Sequence, residues 1–218
     1  MNSSAIHHSS LIIHHFFPKN PIVPTPPSHP GLLIVLCGPS GVGKSTISTL
    51  LAKTMNLSYT MSTTTRPLLS GDDTGKKYDH VDKAEFFRRL DSDQFLEYAQ
   101  VYGDYYATPK HPAMDFMADG RDVLLEIDVQ GAMQVRHHYP DALLIFILPP
   151  DEPTLLQRLN DRGRDSADDI QKRFRAAKRE IHMAKGSRAF DYMVINDNLE
   201  TAVEEIVKII RHKRSGGI

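Results

Sequence analysis

The stretch that decides the fold is Gly38-Pro39-Ser40-Gly41-Val42-Gly43-Lys44-Ser45-Thr46. A glycine, four further residues and then Gly-Lys-Ser is the spacing of a phosphate-binding loop. In such loops the glycines let backbone N–H groups approach phosphate oxygens, the lysine reaches the terminal phosphates, and the serine hydroxyl binds Mg²⁺. The motif therefore predicts a site for the phosphate groups of a nucleotide.

The flanking segments have the pattern that this loop requires. Residues 32–37 form an apolar run typical of a buried strand, and residues 45–55 carry Ile47, Leu50 and Leu51 at helical spacing. The positive end of the helix dipole adds to the phosphate site. Cys37, the single cysteine, ends the predicted strand, so we expect it to be buried and unreactive.

Further strands and helices alternate along the rest of the chain. The sequence predicts strands at 95–101, 122–128, 143–148 and 192–195, and helices at 82–90, 112–118, 152–162, 167–185 and 199–211. Such alternation indicates an α/β fold with a parallel sheet that is covered on both faces. The segment between the loop helix and the strand at 122–128 lacks it, which predicts a small mixed α+β insertion that holds a second substrate.

Composition narrows the function classes. The 218 residues carry a formal net charge of -1, which argues against broad binding to nucleic acid or to a membrane surface.

Residues 1–30 hold six of the 14 prolines and five of the 11 histidines, so we expect a flexible extension. Its histidine pairs could bind a metal, although a tail without a fixed site is the favoured interpretation. No signal peptide is recognisable, so the cytoplasm is the expected location.

The insertion contains the residues that choose a substrate. Ser62-Thr63-Thr64-Thr65-Arg66-Pro67 joins hydroxyls to a guanidinium, a set that suits a second phosphate. The motifs that follow are Gly75-Lys76-Lys77-Tyr78, Phe95-Leu96-Glu97-Tyr98, Gly103-Asp104-Tyr105-Tyr106-Ala107-Thr108 and Leu124-Leu125-Glu126-Ile127-Asp128-Val129-Gln130-Gly131.

Together these motifs resemble those of the guanylate kinase family of P-loop kinases, from about residue 31 to residue 211. The resemblance implies a domain over 31–218, with a parallel-sheet P-loop kinase core, a nucleoside-monophosphate-binding insertion at about 62–118 and a helical lid at about 156–175. It implies an enzyme, a monomer or a homodimer, that transfers the γ-phosphoryl group of Mg-ATP to GMP.

The resemblance also implies a role for individual residues. The ATP site comprises the loop residues Gly38, Pro39, Ser40, Gly41, Val42, Gly43, Lys44, Ser45 and Thr46, together with Asn196. The GMP site comprises Ser62, Arg66, Tyr78, Glu97, Tyr106, Thr108 and Asp128. The catalytic cations are Lys44, Arg66, Arg158, Arg162 and Arg173. Mg²⁺ is bound by Ser45 and, through water, by Asp128.

Within the GMP site, the resemblance implies that Glu97 and Thr108 recognise the guanine base. The hydrogen-bonding chemistry of guanine agrees with this role. Guanine presents N1–H and N2–H₂ donors on one edge, and a carboxylate can accept from both. Adenine lacks that donor pair and would leave a buried carboxylate without a partner, which is a strong basis for exclusion.

One position departs from the family pattern. Two alternatives to the GMP kinase function also stay open. The family has a second arginine three residues after the first, where this chain has Leu69, so we expect weaker GMP binding that Lys76 or Lys77 partly restores. A related kinase of ribose bisphosphate would share the loop but would not need Glu97 and Thr108. A non-catalytic phosphopeptide-binding module of the same fold typically lacks an intact loop.

Overall fold

A computed structural model describes residues 29–68, 78–161 and 166–217 of the chain. The predictions for residues 1–28, Leu69, Lys76, Lys77 and Arg162 fall outside these residues. The elements in chain order are β1 (Leu33–Cys37), α1 (Lys44–Met55), β2 (Ser62–Thr64), β3 (Tyr78–His80), α2 (Lys83–Asp91), β4 (Phe95–Val101), β5 (Asp104–Pro109), α3 (Lys110–Ala118), β6 (Val123–Glu126), α4 (Val129–His138), β7 (Leu143–Leu148), α5 (Glu152–Asn160), α6 (Ala167–Gly186), β8 (Tyr192–Ile195) and α7 (Leu199–Arg214).

The core of the molecule is a parallel sheet with the strand order β6-β1-β7-β8. Side chains of β1 alternate between its faces. Ile34 and Leu36 pack with α1, α5 and α7, while Leu33 and Val35 pack with α3 and α4. Because helices cover both faces, every residue of β1 is buried and the strand is apolar throughout. The predicted α/β class is confirmed.

Cys37 ends β1 directly before the phosphate loop. Its side chain is fully buried, and this burial raises the pKa of the thiol far above the usual range. The expectation of a buried and unreactive cysteine agrees with this position.

A second, mixed sheet has the order β3-β2-β5-β4. Strands β2 and β3 are parallel, whereas β5 runs antiparallel to both β2 and β4. Tyr102 and Gly103 form the two-residue turn between β4 and β5, with φ values of 52° and 97°. Two positive φ values in succession are typical of a type I′ turn, which matches the twist of the flanking strands. Phe86 of α2 packs on this sheet in a small separate core.

The predicted elements correspond to the observed ones with four omissions. Strands β2, β3 and β5 and helix α4 are absent from the elements that the sequence predicts. The predicted strand 122–128 is also too long, because Asp128 already caps α4: its Oδ1 accepts a hydrogen bond of 2.9 Å from the N–H of Gly131. Helix α3, assigned to the insertion, packs its apolar residues on the core sheet.

None of the helices in the described part of the chain has the length and apolar character needed to cross a membrane.

Candidate active site

The phosphate loop connects the carboxyl end of β1 to α1, with Gly43 at the helix N-cap. Gly38 and Gly43 have φ values of 149° and 92°. A Cβ atom at Gly38 would lie 2.6 Å from the carbonyl oxygen of Ile147, and one at Gly43 would lie 2.6 Å from Nδ2 of Asn196. Both backbone conformation and space therefore require glycine at these two positions.

Lys44 extends along its own loop. Its Nζ donates hydrogen bonds of 2.5 Å to the carbonyl oxygen of Gly38 and 3.0 Å to that of Pro39. These bonds use two of the three donors of the ammonium group. The loop forms one wall of a cleft of about 400 Å³, and the ammonium lies at that wall.

Asn196 binds to the backbone of the phosphate loop. It is 5% exposed, and its Nδ2 donates a hydrogen bond of 2.7 Å to the carbonyl oxygen of Val42. The backbone oxygen of Asn196 in turn accepts a bond of 2.9 Å from Nη1 of Arg158. Asn196, predicted for the ATP site, and Arg158, predicted for catalysis, thus form a chain of contacts that ends at the backbone of the phosphate loop.

Ser45 is the second residue of α1 and contacts Glu126 at the end of β6. Its hydroxyl donates a hydrogen bond of 2.6 Å to Oε1 of Glu126. Hydroxyl and carboxylate oxygens are ligands that suit Mg²⁺, which keeps several waters and is held by few protein groups. Residues 29–68, 78–161 and 166–217 contain no group of three or more His, Cys, Asp or Glu that could hold a metal ion alone. The donor set fits a magnesium ion that arrives with nucleotide phosphates.

Glu97 and Thr108 form a buried cross-strand pair between β4 and β5. They are 5% and 1% exposed, and the Thr108 hydroxyl donates a hydrogen bond of 2.6 Å to Oε1 of Glu97. Burial raises the pKa of Glu97 to about 7, an effect that Asp128 reinforces and the bond from Thr108 opposes. The pair presents an acceptor that titrates near neutral pH.

Two tyrosines of the mixed sheet line the same cleft as Glu97. Tyr78 and Tyr106 meet edge to face, with ring centroids 5.9 Å apart, and Tyr78 pairs in register with Ser62. Burial raises the pKa of the Tyr106 hydroxyl. The backbone of Arg66 is fixed at the end of β2, where its N–H donates to Oγ1 of Thr64 at 3.1 Å. The mixed sheet therefore brings these predicted acceptor residues onto adjacent strands.

Two more carboxylates face the cleft near Lys44. Asp128 caps α4, and burial raises its pKa against the hydrogen bonds from Gly131 and Gln130. Glu180 on α6 was not identified from the sequence. Its pKa is raised to about 7, mainly by burial, while Lys44 lowers it and Asp128 raises it. The spacing of seven residues from Arg173, which places both on one face of α6, is the signal that could have revealed it.

Arg173 projects from α6 towards the hairpin of the mixed sheet. Its guanidinium carbon lies 5.0 Å from the ring centroid of Tyr102, in a cation–π arrangement. Arg162, the third arginine predicted on the lid, is outside the described residues. Of the predicted cations, Arg173 and Lys44 line the cleft.

Most of the predicted site residues line the cleft. The predicted residues that line it are Gly38, Ser40, Gly43, Lys44, Ser45, Thr46, Ser62, Tyr78, Glu97, Tyr106, Asp128 and Arg173. The described predicted residues outside its lining are Pro39, Gly41, Val42, Arg66, Thr108, Arg158 and Asn196. Thr108 lines an adjoining cavity of about 390 Å³ together with Ser62 and Tyr78.

A phosphate loop at the carboxyl end of a parallel sheet, facing a polar second sheet, defines a P-loop kinase. The family model for guanylate kinase matches residues 31–213. Guanylate kinase of Carboxydothermus hydrogenoformans is 43% identical over 183 residues, which span 84% of this chain and 88% of the relative. Guanylate kinase of Syntrophomonas wolfei is 44% identical over 185 residues, 84% and 93% of the two chains. The crystal structure of guanylate kinase from Anaplasma phagocytophilum superposes with a TM-score of 0.70 at 30% identity, covering 85% of this chain and 87% of that one. The chain belongs to the guanylate kinase family.

Proposed function

We propose that the protein transfers the γ-phosphoryl group of ATP to GMP and releases ADP and GDP. The observation that carries this proposal is one cleft with the phosphate loop on one wall and the carboxylate of Glu97, held by Thr108, on another. The first wall suits a nucleoside triphosphate, and the second suits guanine. Family membership supports the same reaction.

On the donor side, the loop amides and Lys44 hold the ATP phosphates, with Gly38, Ser40, Gly43 and Thr46 in the cleft lining. Asn196 acts through the loop, because its amide fixes the carbonyl of Val42. A direct contact between Asn196 and ATP remains a prediction.

On the acceptor side, the carboxylate of Glu97 accepts from the N1–H and N2–H₂ groups of guanine, while Thr108 orients it. Ser62, Tyr78 and Tyr106 bind the GMP phosphate from the mixed sheet, and Arg66 supplies a guanidinium fork. Leu69 supplies no charge, so we expect weaker binding of GMP than a second arginine would give.

Mg²⁺ would be held by Ser45, which Glu126 orients, and by Asp128 through water, and it would neutralise phosphate charge when bound. The GMP phosphate has a second pKa of about 6, so it is largely ionised at pH 7 and needs no general base. Catalysis then depends on alignment and on the cations Lys44, Arg66, Arg158, Arg162 and Arg173 around the transferring group.

We place the acceptor insertion at about 62–118 and the lid at about 156–175. A cytoplasmic location and a monomer or homodimer remain predictions.

The alternatives have less support. A kinase of ribose bisphosphate has no use for a buried carboxylate paired with a threonine hydroxyl, and a phosphopeptide-binding module has no use for the complete phosphate loop.

The test is ADP formation from Mg-ATP with GMP, AMP, CMP, UMP or a ribose bisphosphate as separate acceptors. We expect fast turnover with GMP alone, and loss of most of kcat in Lys44→Ala with the fold intact. Turnover with the ribose bisphosphate alone would contradict the assignment of guanine to Glu97. Measurable GMP binding without turnover would contradict the assignment of the chain as an enzyme.

A further inference from the structure

Helix α4 is attached to the open edge of the mixed sheet by side-chain amides. Nε2 of Gln134 donates a hydrogen bond of 2.7 Å to the carbonyl oxygen of Tyr98, and the N–H of Tyr98 donates one of 3.2 Å to Oε1 of Gln134. Nε2 of Gln130 donates to the carbonyl oxygen of Gln100 at 3.3 Å. Among the described residues β4 is an edge strand of this sheet, and these amides bond to its free edge, so the helix and the strand are held at one distance.

Gly131 lies between these two glutamines in the sequence of α4, next to the side chain of Glu97 on β4. A Cβ atom at Gly131 would lie 2.1 Å from Oε2 and 2.9 Å from Cδ of Glu97. Real Cβ atoms do not approach a carboxylate so closely, so a methyl group there must displace the Glu97 carboxyl group or the helix. The residue sits inside α4, where any side chain has an accessible backbone conformation. The requirement for glycine at this position is one of space alone.

The carboxylate of Glu97 is therefore confined on two sides. Thr108 holds Oε1 by a hydrogen bond of 2.6 Å, and the bare Cα of Gly131 leaves room for Oε2. The N–H of Gly131 is already bound to Asp128, so the glycine contributes space and no donor to Glu97.

We infer that Gly131, fixed in place by the Gln134 amide, is a positioning residue that determines guanine specificity by setting where the Glu97 carboxylate lies. The inference rests on the proposed function, in which that carboxylate reads guanine. Displacement of the carboxylate misaligns its oxygens with both N1–H and N2–H₂. The loss should affect GMP strongly and ATP hardly at all, because the ATP phosphates bind at the loop wall.

The first experiment compares Gly131→Ala with Gly186→Ala, a matched control at the end of α6 where an added Cβ meets nothing within 4 Å. We expect Gly131→Ala to raise the KM for GMP about tenfold or more, the cost of a lost hydrogen bond to a charged group. The KM for ATP of Gly131→Ala, and both KM values of the control variant, should stay within about twofold of wild type, a change of well under 1 kcal/mol. The preference for GMP over IMP, which lacks the 2-amino group, should fall in Gly131→Ala. An unchanged preference, or an equal rise in both KM values, would overturn the inference.

A double-mutant cycle separates this inference from the proposed function. In a Glu97→Ala background no carboxylate remains to be displaced, so Gly131→Ala should add less than a twofold change in the KM for GMP and should no longer lower the Tm. The Tm comparison decides the matter even where Gly131→Ala alone folds poorly. Independent effects of the two substitutions would contradict the inference. Glu97→Ala without effect on GMP use would contradict the proposed function instead.

Gln134→Ala provides a second variant that adds no bulk. It removes both amide bonds to Tyr98, so we expect a raised KM for GMP, an unchanged KM for ATP and a lowered preference over IMP. A fall in Tm with unchanged GMP kinetics would show that the amide acts on stability alone and would remove Gln134 from the inference.

Discussion

The hydroxyl of Ser45 donates a hydrogen bond of 2.6 Å to Oε1 of Glu126, across 81 residues of chain. The proton of the hydroxyl is committed to this bond, so the lone pairs of the oxygen remain available to a cation. Glu126 acts on the proposed magnesium site through the orientation of its neighbour.

Removal of that orientation should weaken the magnesium site. We expect Glu126→Ala to raise the Mg²⁺ concentration for half-maximal activity severalfold, and Glu126→Gln to raise it less, since an amide oxygen still accepts the bond. The measurements are Mg²⁺ titrations of activity and of the Tm of the protein with bound ADP. Identical titrations for wild type and Glu126→Ala would exclude this role.

The acidity of Glu97 should control the pH dependence of GMP binding. Its pKa is raised to about 7, and only the ionised form accepts from both guanine donors. The KM for GMP should therefore rise as the pH falls from 8 to 6, and Glu97→Gln should have a high KM with a flatter profile. The GMP phosphate titrates in both proteins, so the difference between the two profiles isolates the carboxyl group. Parallel profiles would argue against Glu97 as the group that titrates.

Glu180 should make the free protein less stable at alkaline pH. Its folded-state pKa of about 7 lies above the value of 4.5 usual for a glutamate, so the folded state binds the proton more tightly and stability is lost as the pH rises from 4.5 to 7. Glu180→Gln should raise the free energy of unfolding by up to about 3 kcal/mol at pH 8 and by less than about 1 kcal/mol at pH 5. Urea denaturation at both pH values is the measurement. Glu204→Gln, on the exposed face of α7, is the matched control and should show no such difference. An equal effect of Glu180→Gln at both pH values would contradict the prediction.

Asn196 should affect ATP binding through the loop. Asn196→Ala leaves the carbonyl of Val42 without its partner in a buried position, which costs about 1–3 kcal/mol. We expect a lower Tm and a raised KM for ATP, with little change in the KM for GMP. Asn160→Ala is the control, because that amide also donates to a backbone oxygen, that of Leu156, but on the exposed end of α5. A control that loses as much stability would refute the importance of the loop contact.

The sequence predicted the elements that depend on local pattern. The loop from Gly38 to Thr46 is contiguous, and the buried strands β1, β7 and β8 carry their apolar runs within a few residues. The mixed sheet is different, because β2 is three polar residues long and exists through its pairing of Thr64 with Tyr106. No local signal marks such a strand.

Some site residues could likewise be predicted from local motifs, whereas others depend on tertiary packing. Glu97 and Thr108 were found because they stand in motifs that resemble those of the family. The contact of Asn196 with Val42 joins residues 154 positions apart, and the position of Glu180 beside Lys44 depends on how α6 packs. Both follow from tertiary packing, which a single sequence does not display.

The burial of Cys37 gives the chain an internal chemical reporter. A thiol reagent has one target in the 218 residues, and that target is closed to solvent in the strand that leads into the phosphate loop. The labelling rate of the intact protein therefore measures how often this strand and the loop separate from their neighbours. A nucleotide bound at the loop should slow that rate in proportion to its occupancy, so ligand affinity becomes readable by mass spectrometry without any engineered label.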